Sequence, residues 1–217
     1  MSFFDRLTLN TSYRQFNAVR STLLGGVVAL ATLTPQMAIA QMVDSLPFPP
    51  SQQAENLDRR ELFREGNDLF RDRDYEAAEV IFRELRDRYP QDSLVRYKLG
   101  NALFAQYRYE EAAEEYQEAI RLNEDHALAY NALGDLRASQ GRLEEAVSLY
   151  ERALEVNEDY VRALKGLGRA LARLQQFEEA IATLETALDV LVEEGEIWEA
   201  IEVARLLQQV RRWQDVM

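Results

Sequence analysis

The chain repeats itself every 34 residues, and that period constrains its architecture more than any other feature. Set in rows of 34, four glycines stack: Gly66, Gly100, Gly134 and Gly168. Twelve residues later four alanines stack: Ala78, Ala112, Ala146 and Ala180. Between them runs a column of Tyr75, Tyr109, Leu143 and Phe177, and after them come Phe82, Tyr116, Tyr150 and Leu184. Within one row the apolar residues follow helical spacing twice. Tyr130, Leu133, Gly134 and Arg137 fall at i, i+3, i+4 and i+7, and so do Ala146, Leu149, Tyr150 and Ala153. Each row is therefore read as two amphipathic helices around a short break. Neither hairpin helix can bury its apolar face alone, so neighbouring rows must stack. Glycine inside a helix costs about 1 kcal/mol against alanine. Its recurrence implies that a partner helix comes too close for a side chain, with the alanine column as the reciprocal small residue. The aromatic columns are expected to fill the gaps between units.

These columns, with the Tyr-Glu-Glu-Ala turn at Tyr109–Ala112, resemble the tetratricopeptide repeat (TPR). With the glycines at repeat position 8, the repeats are residues 59–92, 93–126, 127–160 and 161–194. Departures from the pattern are Glu124, Glu158 and Val192 where Pro90 stands in the first repeat, and Glu65 where leucine is usual. The resemblance implies an all-α, right-handed α-solenoid of four helix-turn-helix repeats. Repeat 1 is irregular, with Glu65, Glu79 and Arg86 at positions that are apolar in later rows. Polar residues are expected on a terminal face that has no neighbour. Asp92, Asp125 and Asp159 precede the next helices and are candidate N-caps. After Gly195, residues 195–217 read as one helix that caps repeat 4 through Ile197, Ile201, Ala204 and Leu207. Trp213 is not explained by capping.

Residues 1–40 have the order of a secretory signal peptide. Arg6, Arg14 and Arg20 stand against Asp5, an apolar run follows from Thr22 to Leu33, and Ala38-Ile39-Ala40 provides small residues before Gln41. The expectation is cleavage after Ala40 and an extracytoplasmic location, in a periplasm or equivalent lumen. The alternative is a membrane anchor over residues 22–34, the one route to membrane association. Residues 41–58, with Pro47, Pro49 and Pro50, read as an extended Pro-rich linker.

The charge balance excludes whole classes of function. With 25 basic and 38 acidic residues the chain carries a net charge of −13, so nonspecific nucleic-acid binding is disfavoured. It has no cysteine, which removes disulfides, thiolate chemistry and Cys-ligated zinc. The single histidine, His126, falls in an inter-repeat turn. The pairs Glu110-Glu111, Glu144-Glu145 and Glu178-Glu179 open the second helices, where carboxylates complement the helix dipole. No phosphate loop and no metal-ligand spacing is present, so no catalytic residue, cofactor or metal is expected.

The resemblance implies that first-helix positions 2, 5, 9, 12 and 13 line a concave, peptide-binding side. The candidate partner-binding residues are Phe63, Asn67 and Phe70 in repeat 1, Tyr97, Asn101 and Phe104 in repeat 2, and Arg162, Lys165, Arg169 and Arg173 in repeat 4. The groove is thus read as aromatic with Asn in its first half and basic in its last repeat. Some TPR domains grip a peptide's terminal carboxylate with Lys and Asn side chains in successive repeats. Asn101, Lys165 and Arg169 match that clamp, while Tyr97 and Asp135 depart from it. The expected function is an exported, noncatalytic scaffold that binds a protein or peptide segment of acidic character, as an assembly or envelope-maintenance factor. The alternatives are a structural solenoid that self-associates through its ends, and a noncatalytic accessory subunit of an enzyme complex.

Overall fold

The computed structural model describes residues 50–216. The expected signal segment and most of the linker lie outside the described residues. Contacts divide the chain into Met1–Leu57 and Asp58–Met217, and the repeats lie in the second unit. Nine helices follow one another among the described residues, with no strand: α1 Pro50–Arg71, α2 Tyr75–Arg88, α3 Ser93–Ala105, α4 Tyr109–Leu122, α5 Ala127–Ser139, α6 Leu143–Val156, α7 Val161–Arg173, α8 Phe177–Glu194 and α9 Ile197–Val216. They form four helical hairpins, α1–α2 to α7–α8, stacked as a solenoid with α9 laid on α8. No described helix is long and apolar enough to cross a membrane.

The first helix begins at Pro50, inside the stretch read from sequence as an extended linker. Proline is compatible with the first helical turn, where its missing N–H would have no intrahelical acceptor. Pro50 therefore starts the helix and does not exclude one.

The four turns within the hairpins share one geometry. Arg73, Tyr107, Gly141 and Gln175 all have φ between 62° and 79°, and all occupy the same place in the repeat. The amide of the following residue donates back across the turn, from Asp74 to Leu69 O, Arg108 to Leu103 O, Arg142 to Arg137 O and Gln176 to Leu171 O, at 2.9–3.0 Å. This is a Schellman-type termination, which satisfies the last carbonyls of each first helix. Only repeat 3 uses glycine there, so the turn carries no glycine signal in the sequence.

The glycine column has a different cause from the one expected. A Cβ on Gly100 would lie 2.6 Å from the Tyr116 ring, and one on Gly134 would lie 2.8 Å from the Tyr150 ring. Gly66 meets Phe82 at 2.8 Å and Gly168 meets Leu184 at 2.6 Å. The glycines therefore seat the large residue of the second helix in the same repeat, and the alanines are not their direct counterparts. Phe82, Tyr116, Tyr150 and Leu184 are buried to 2% exposure or less and form the centre of each hairpin.

Three further expectations are corrected. Glu79 and Arg86 do not sit on a free terminal face. Glu79 is 8% exposed and is held by Arg83 at 2.7 Å, Gln106 at 2.8 Å and Arg108 at 2.7 Å. Arg86 lies 3.6 Å from Glu115 of repeat 2. Both belong to a polar seam between repeats 1 and 2. Of the three aspartates, Asp92 caps its helix by accepting from Leu94 N and Val95 N. The N-cap of α5 is His126, whose Nδ1 accepts from Ala129 N at 3.3 Å, and that of α7 is Tyr160. Asp125 and Asp159 instead donate their own amides to Asn123 Oδ1 and Asn157 Oδ1, in the turn that ends the preceding helix. Finally, α9 buries Ala200, Val203, Leu207 and Val210, whereas Ile197 and Ile201 are exposed. The buried stripe is rotated from the one expected, and of the residues expected in it only Leu207 is buried.

Candidate functional site

The predicted groove positions of repeats 1 and 4 line two cavities on the first-helix face, and those of repeat 2 line neither. The first, about 400 Å³, lies between α5 and α7. Helix α7 carries Arg162, Lys165, Arg169 and Arg173 three or four residues apart, so they share one face, and all four line this cavity. Asp135, Ala138 and Ser139 of α5 form the opposite wall, and Tyr150 of α6 forms part of the floor.

The floor is a hydrogen-bonded unit. The Tyr150 hydroxyl donates to Asp135 Oδ1 at 2.7 Å, and Asn131 Nδ2 donates to Oδ2 at 3.1 Å. The Tyr150 ring is wedged between Gly134 and Gly166, since a Cβ on Gly166 would lie 2.6 Å from it. Asp135 is open to solvent yet walled by protein. Loss of hydration in the cleft raises its pKa, against the opposing pull of the Tyr150 hydroxyl and Arg169. Burial and the nearby Asp135 push the Tyr150 hydroxyl far above the ordinary tyrosine range. Lys165 Nζ lies 3.5 Å from Glu202 of α9, and Arg173 donates to Ala138 O at 3.1 Å. Arg162 and Arg169 have no carboxylate within ion-pair distance among the described residues. The cavity thus holds four cations around one carboxylate whose two oxygens are already engaged.

The second cavity, broad and about 900 Å³, is lined by α1, the turn after it and α3. Phe63, Asn67 and Phe70 line it as the sequence places them, but its rim is mainly cationic: Arg59, Arg60, Arg64, Arg71 and Arg73, with Lys98 from α3 and Asp68 as its carboxylate. The sequence reading of this half as aromatic with Asn is corrected accordingly. Phe63 and Phe70 turn partly into the core, Phe63 edge-on to Phe82 at 6.1 Å and Phe70 against Tyr75 at 5.2 Å. Arg59 is paired with Asp92 and Arg71 with Asp68. No ion pair engages Arg60, Arg64, Arg73 or Lys98 among the described residues. Burial lowers the pKa of Lys98. The sequence signal for this cluster was the charge at repeat position 6, occupied by Arg64 and Lys98, which the groove positions inferred from the family omit.

Repeat 2 lies between the cavities, and Tyr97, Asn101 and Phe104 line neither. Tyr97 packs 5.4 Å from the buried His126 ring, and Phe104 packs 5.3 Å from Tyr109. The Tyr116 hydroxyl donates to Asn101 Oδ1 at 2.8 Å, which leaves the Asn101 amide N–H₂ available. Of the three clamp matches, Lys165 and Arg169 share a cavity and Asn101 does not join them. Burial lowers the pKa of His126, so it is neutral at pH 7 and serves as a helix cap. The glutamate pairs lie in the first turns of α4, α6 and α8, and Glu111 and Glu145 are each gripped by the arginine that precedes their helix. No cluster of three metal-ligating side chains occurs among the described residues.

Family comparison agrees with this geometry. A tetratricopeptide-repeat model matches residues 63–127 and 97–155, and a second model of the same repeat matches 137–210. Together they span residues 63–210, most of the described chain, including the larger part of α9. No curated protein matches. Among solved structures, MamA is similar with a TM-score of 0.59 at 23% identity, covering 66% of this chain and 84% of that one. The MamA RS-1 ArsTM double mutant is similar with a TM-score of 0.55 at 19% identity, covering 73% and 97%. The first TPR of Spaghetti (RPAP3), bound to the HSP90 peptide SRMEEVD, has a TM-score of 0.52 at 26% identity, covering 54% and 93%. The MamA likenesses bear on fold alone.

Proposed function

The chain belongs to the tetratricopeptide-repeat family, and from that premise we propose that it is an exported, noncatalytic scaffold that holds an acidic protein or peptide segment on its first-helix face. The observation that carries this reading is the cavity between α5 and α7. Four cations converge there in a chain whose net charge is −13. Clustered cations repel one another, and an arriving carboxylate relieves that repulsion. The acidic remainder of the chain disfavours anions elsewhere, which orients an acidic partner and raises its association rate more than its final affinity. The peptide on the Spaghetti repeats, SRMEEVD, is itself acidic, which supports the same class of partner here. Export rests on the order of charge, apolar run and small residues over positions 1–40.

The test is a Lys165→Glu, Arg169→Glu double change, measured by stopped-flow binding to SRMEEVD as an acidic probe. The variant should associate more slowly and show a weaker salt dependence than the parent. Equal rates at low and high salt for both proteins would refute the site. Intact-mass analysis of the protein from its native host should show a chain starting at Gln41, and a full-length chain would refute cleavage.

A second reading, self-association through the C-terminal end, is favoured by one observation. Trp198 is 84% exposed and adjoins exposed Ile197 and Ile201 on the last helix. Sedimentation of Trp198→Ala against the parent separates the two readings, since only self-association loses mass with that change.

A further inference from the structure

We propose that the partner segment carries two acidic clusters, separated by about five or six extended residues, and that the cavity on α1 and α3 is the second anion site. This rests on the reading of the first-helix face as the binding surface. The observation is independent of the α5–α7 cavity: Arg60, Arg64, Arg73 and Lys98 surround a separate cavity of about 900 Å³ with no ion-pair partner among the described residues, and the carboxylate that lines it, Asp68, is paired with Arg71. Asn67 donates its amide to Phe63 O at 2.7 Å, which leaves its carbonyl oxygen as an acceptor for a peptide N–H. Half-buried Phe63 and Phe70 offer apolar surface beside the charges. The site therefore takes a carboxylate cluster with an adjoining apolar side chain.

The spacing follows from the stack. One cavity lies against α1 with Lys98 of α3 at its edge and the other between α5 and α7, about two first-helix steps apart. Packed helices lie about 8–10 Å apart, which gives about 16–20 Å between the cavities. An extended chain rises about 3.3–3.6 Å per residue, so about five or six residues bridge that distance. A helical segment would need roughly twice as many, at about 1.5 Å per residue. Between the cavities the segment crosses repeat 2, where Asn101 offers N–H donors to its backbone. The spacer between the two clusters is met there through its backbone. Once one cluster is seated, the other binds at high effective concentration, so affinity rises steeply when the spacing fits.

The experiment uses the protein isolated from its native host and synthetic peptides with two triple-glutamate clusters joined by Gly/Ser spacers of graded length. Fluorescence anisotropy should show a maximum at about five or six spacer residues, with roughly 100-fold tighter binding than a single-cluster peptide. Arg60→Glu with Arg64→Glu, two exposed positions, should abolish that gain and leave single-cluster binding within about twofold, a change of less than 1 kcal/mol. If single-cluster peptides bind but spacer length has no effect, the second site is overturned while the proposed function stands. If no acidic peptide binds at all, both are overturned. A single-stranded oligonucleotide of equal charge that binds as tightly as the best peptide would overturn the inference in favour of a general polyanion surface.

Discussion

A Cβ at Gly166 should test the packing that shapes the α5–α7 cavity. In an unhindered helix Gly→Ala stabilises by about 1 kcal/mol. Here the added carbon would lie 2.6 Å from Tyr150 Cε1 and Cζ and 3.0 Å from its hydroxyl. Carbon atoms in comfortable contact stand about 3.5–4.0 Å apart, so the ring would have to retreat by about 1 Å. It has nowhere to go. Its other side lies against Gly134, where a Cβ would stand 2.8 Å away, and its hydroxyl is fixed to Asp135 at 2.7 Å. Overpacking of this kind costs about 1–3 kcal/mol, and a weakened hydrogen bond to Asp135 adds to it. Because Asp135 is open to solvent, that addition is the smaller part. Set against the helix-propensity gain of about 1 kcal/mol, Gly166→Ala should destabilise by a net of about 0.5–2.5 kcal/mol, read as a lower midpoint in equilibrium urea unfolding. In a Tyr150→Leu background the same change should become neutral or favourable. If Gly166→Ala alone raises stability by about 1 kcal/mol, as at a free helical position, the wedge between the two glycines is wrong.

Three other outcomes follow from the same framework. Ala146 is fully buried, and Ala146→Leu should cost about 1–3 kcal/mol in the same assay, with a neutral result placing the alanine column away from a contact. Burial pushes the Glu79 carboxyl up, but Gln106, Arg83 and Arg108 outweigh it and hold its pKa below the usual range. A depressed carboxylate contributes stability that is present above the unfolded-state pKa and lost as pH falls through the folded one. Stability should therefore fall more steeply below about pH 4.5 in the parent than in Glu79→Gln, and parallel profiles would refute the seam. The Gln175 backbone has φ 64°, and left-handed conformation costs a non-glycine residue about 1–2 kcal/mol. Offset by glycine's greater unfolded-state freedom, Gln175→Gly should stabilise by about 0.5–1 kcal/mol, and a loss of stability would contradict the turn geometry.

The hairpins, their order and the four-cation face of α7 were legible because each rests on periodicity: 34 residues for the units and three or four for one helix face. What was not legible depends on where side chains end. Gly66, Gly100, Gly134 and Gly168 marked a close approach, but a column of small residues does not say which large residue fills the space. Gly166 stands outside every column, since it accommodates a ring from the preceding repeat. Glu79 and Arg86 looked like terminal-face residues because their rows are apolar elsewhere. Only the reach of Arg108 and Glu115 from repeat 2 shows them to be partners in a seam. The cationic rim around Phe63 and Phe70 was missed for a similar reason. Lys98 and Arg73 come from a neighbouring helix and a turn, and no single-helix pattern joins them to Arg60 and Arg64.

The core also decides where the binding face is fixed and where it is free. The residue after each column glycine is Asn67, Asn101, Asp135 or Arg169. In repeats 2 and 3 the large residue of the second helix is tyrosine, and its hydroxyl holds Asn101 and Asp135 at 2.8 Å and 2.7 Å. In repeats 1 and 4 it is Phe82 or Leu184, which has no hydroxyl to offer. Asn67 instead donates to the Phe63 carbonyl, Arg169 has no carboxylate partner among the described residues, and each lines a cavity. The α1 cavity thus opens in a repeat whose centre lacks a tyrosine, whereas the α5–α7 cavity is shared between repeat 4, which lacks one, and repeat 3, whose Tyr150 and Asp135 form its floor and wall. A buried choice between tyrosine and an apolar residue, made for packing within a hairpin, sets the chemistry offered to a partner on the outside of it.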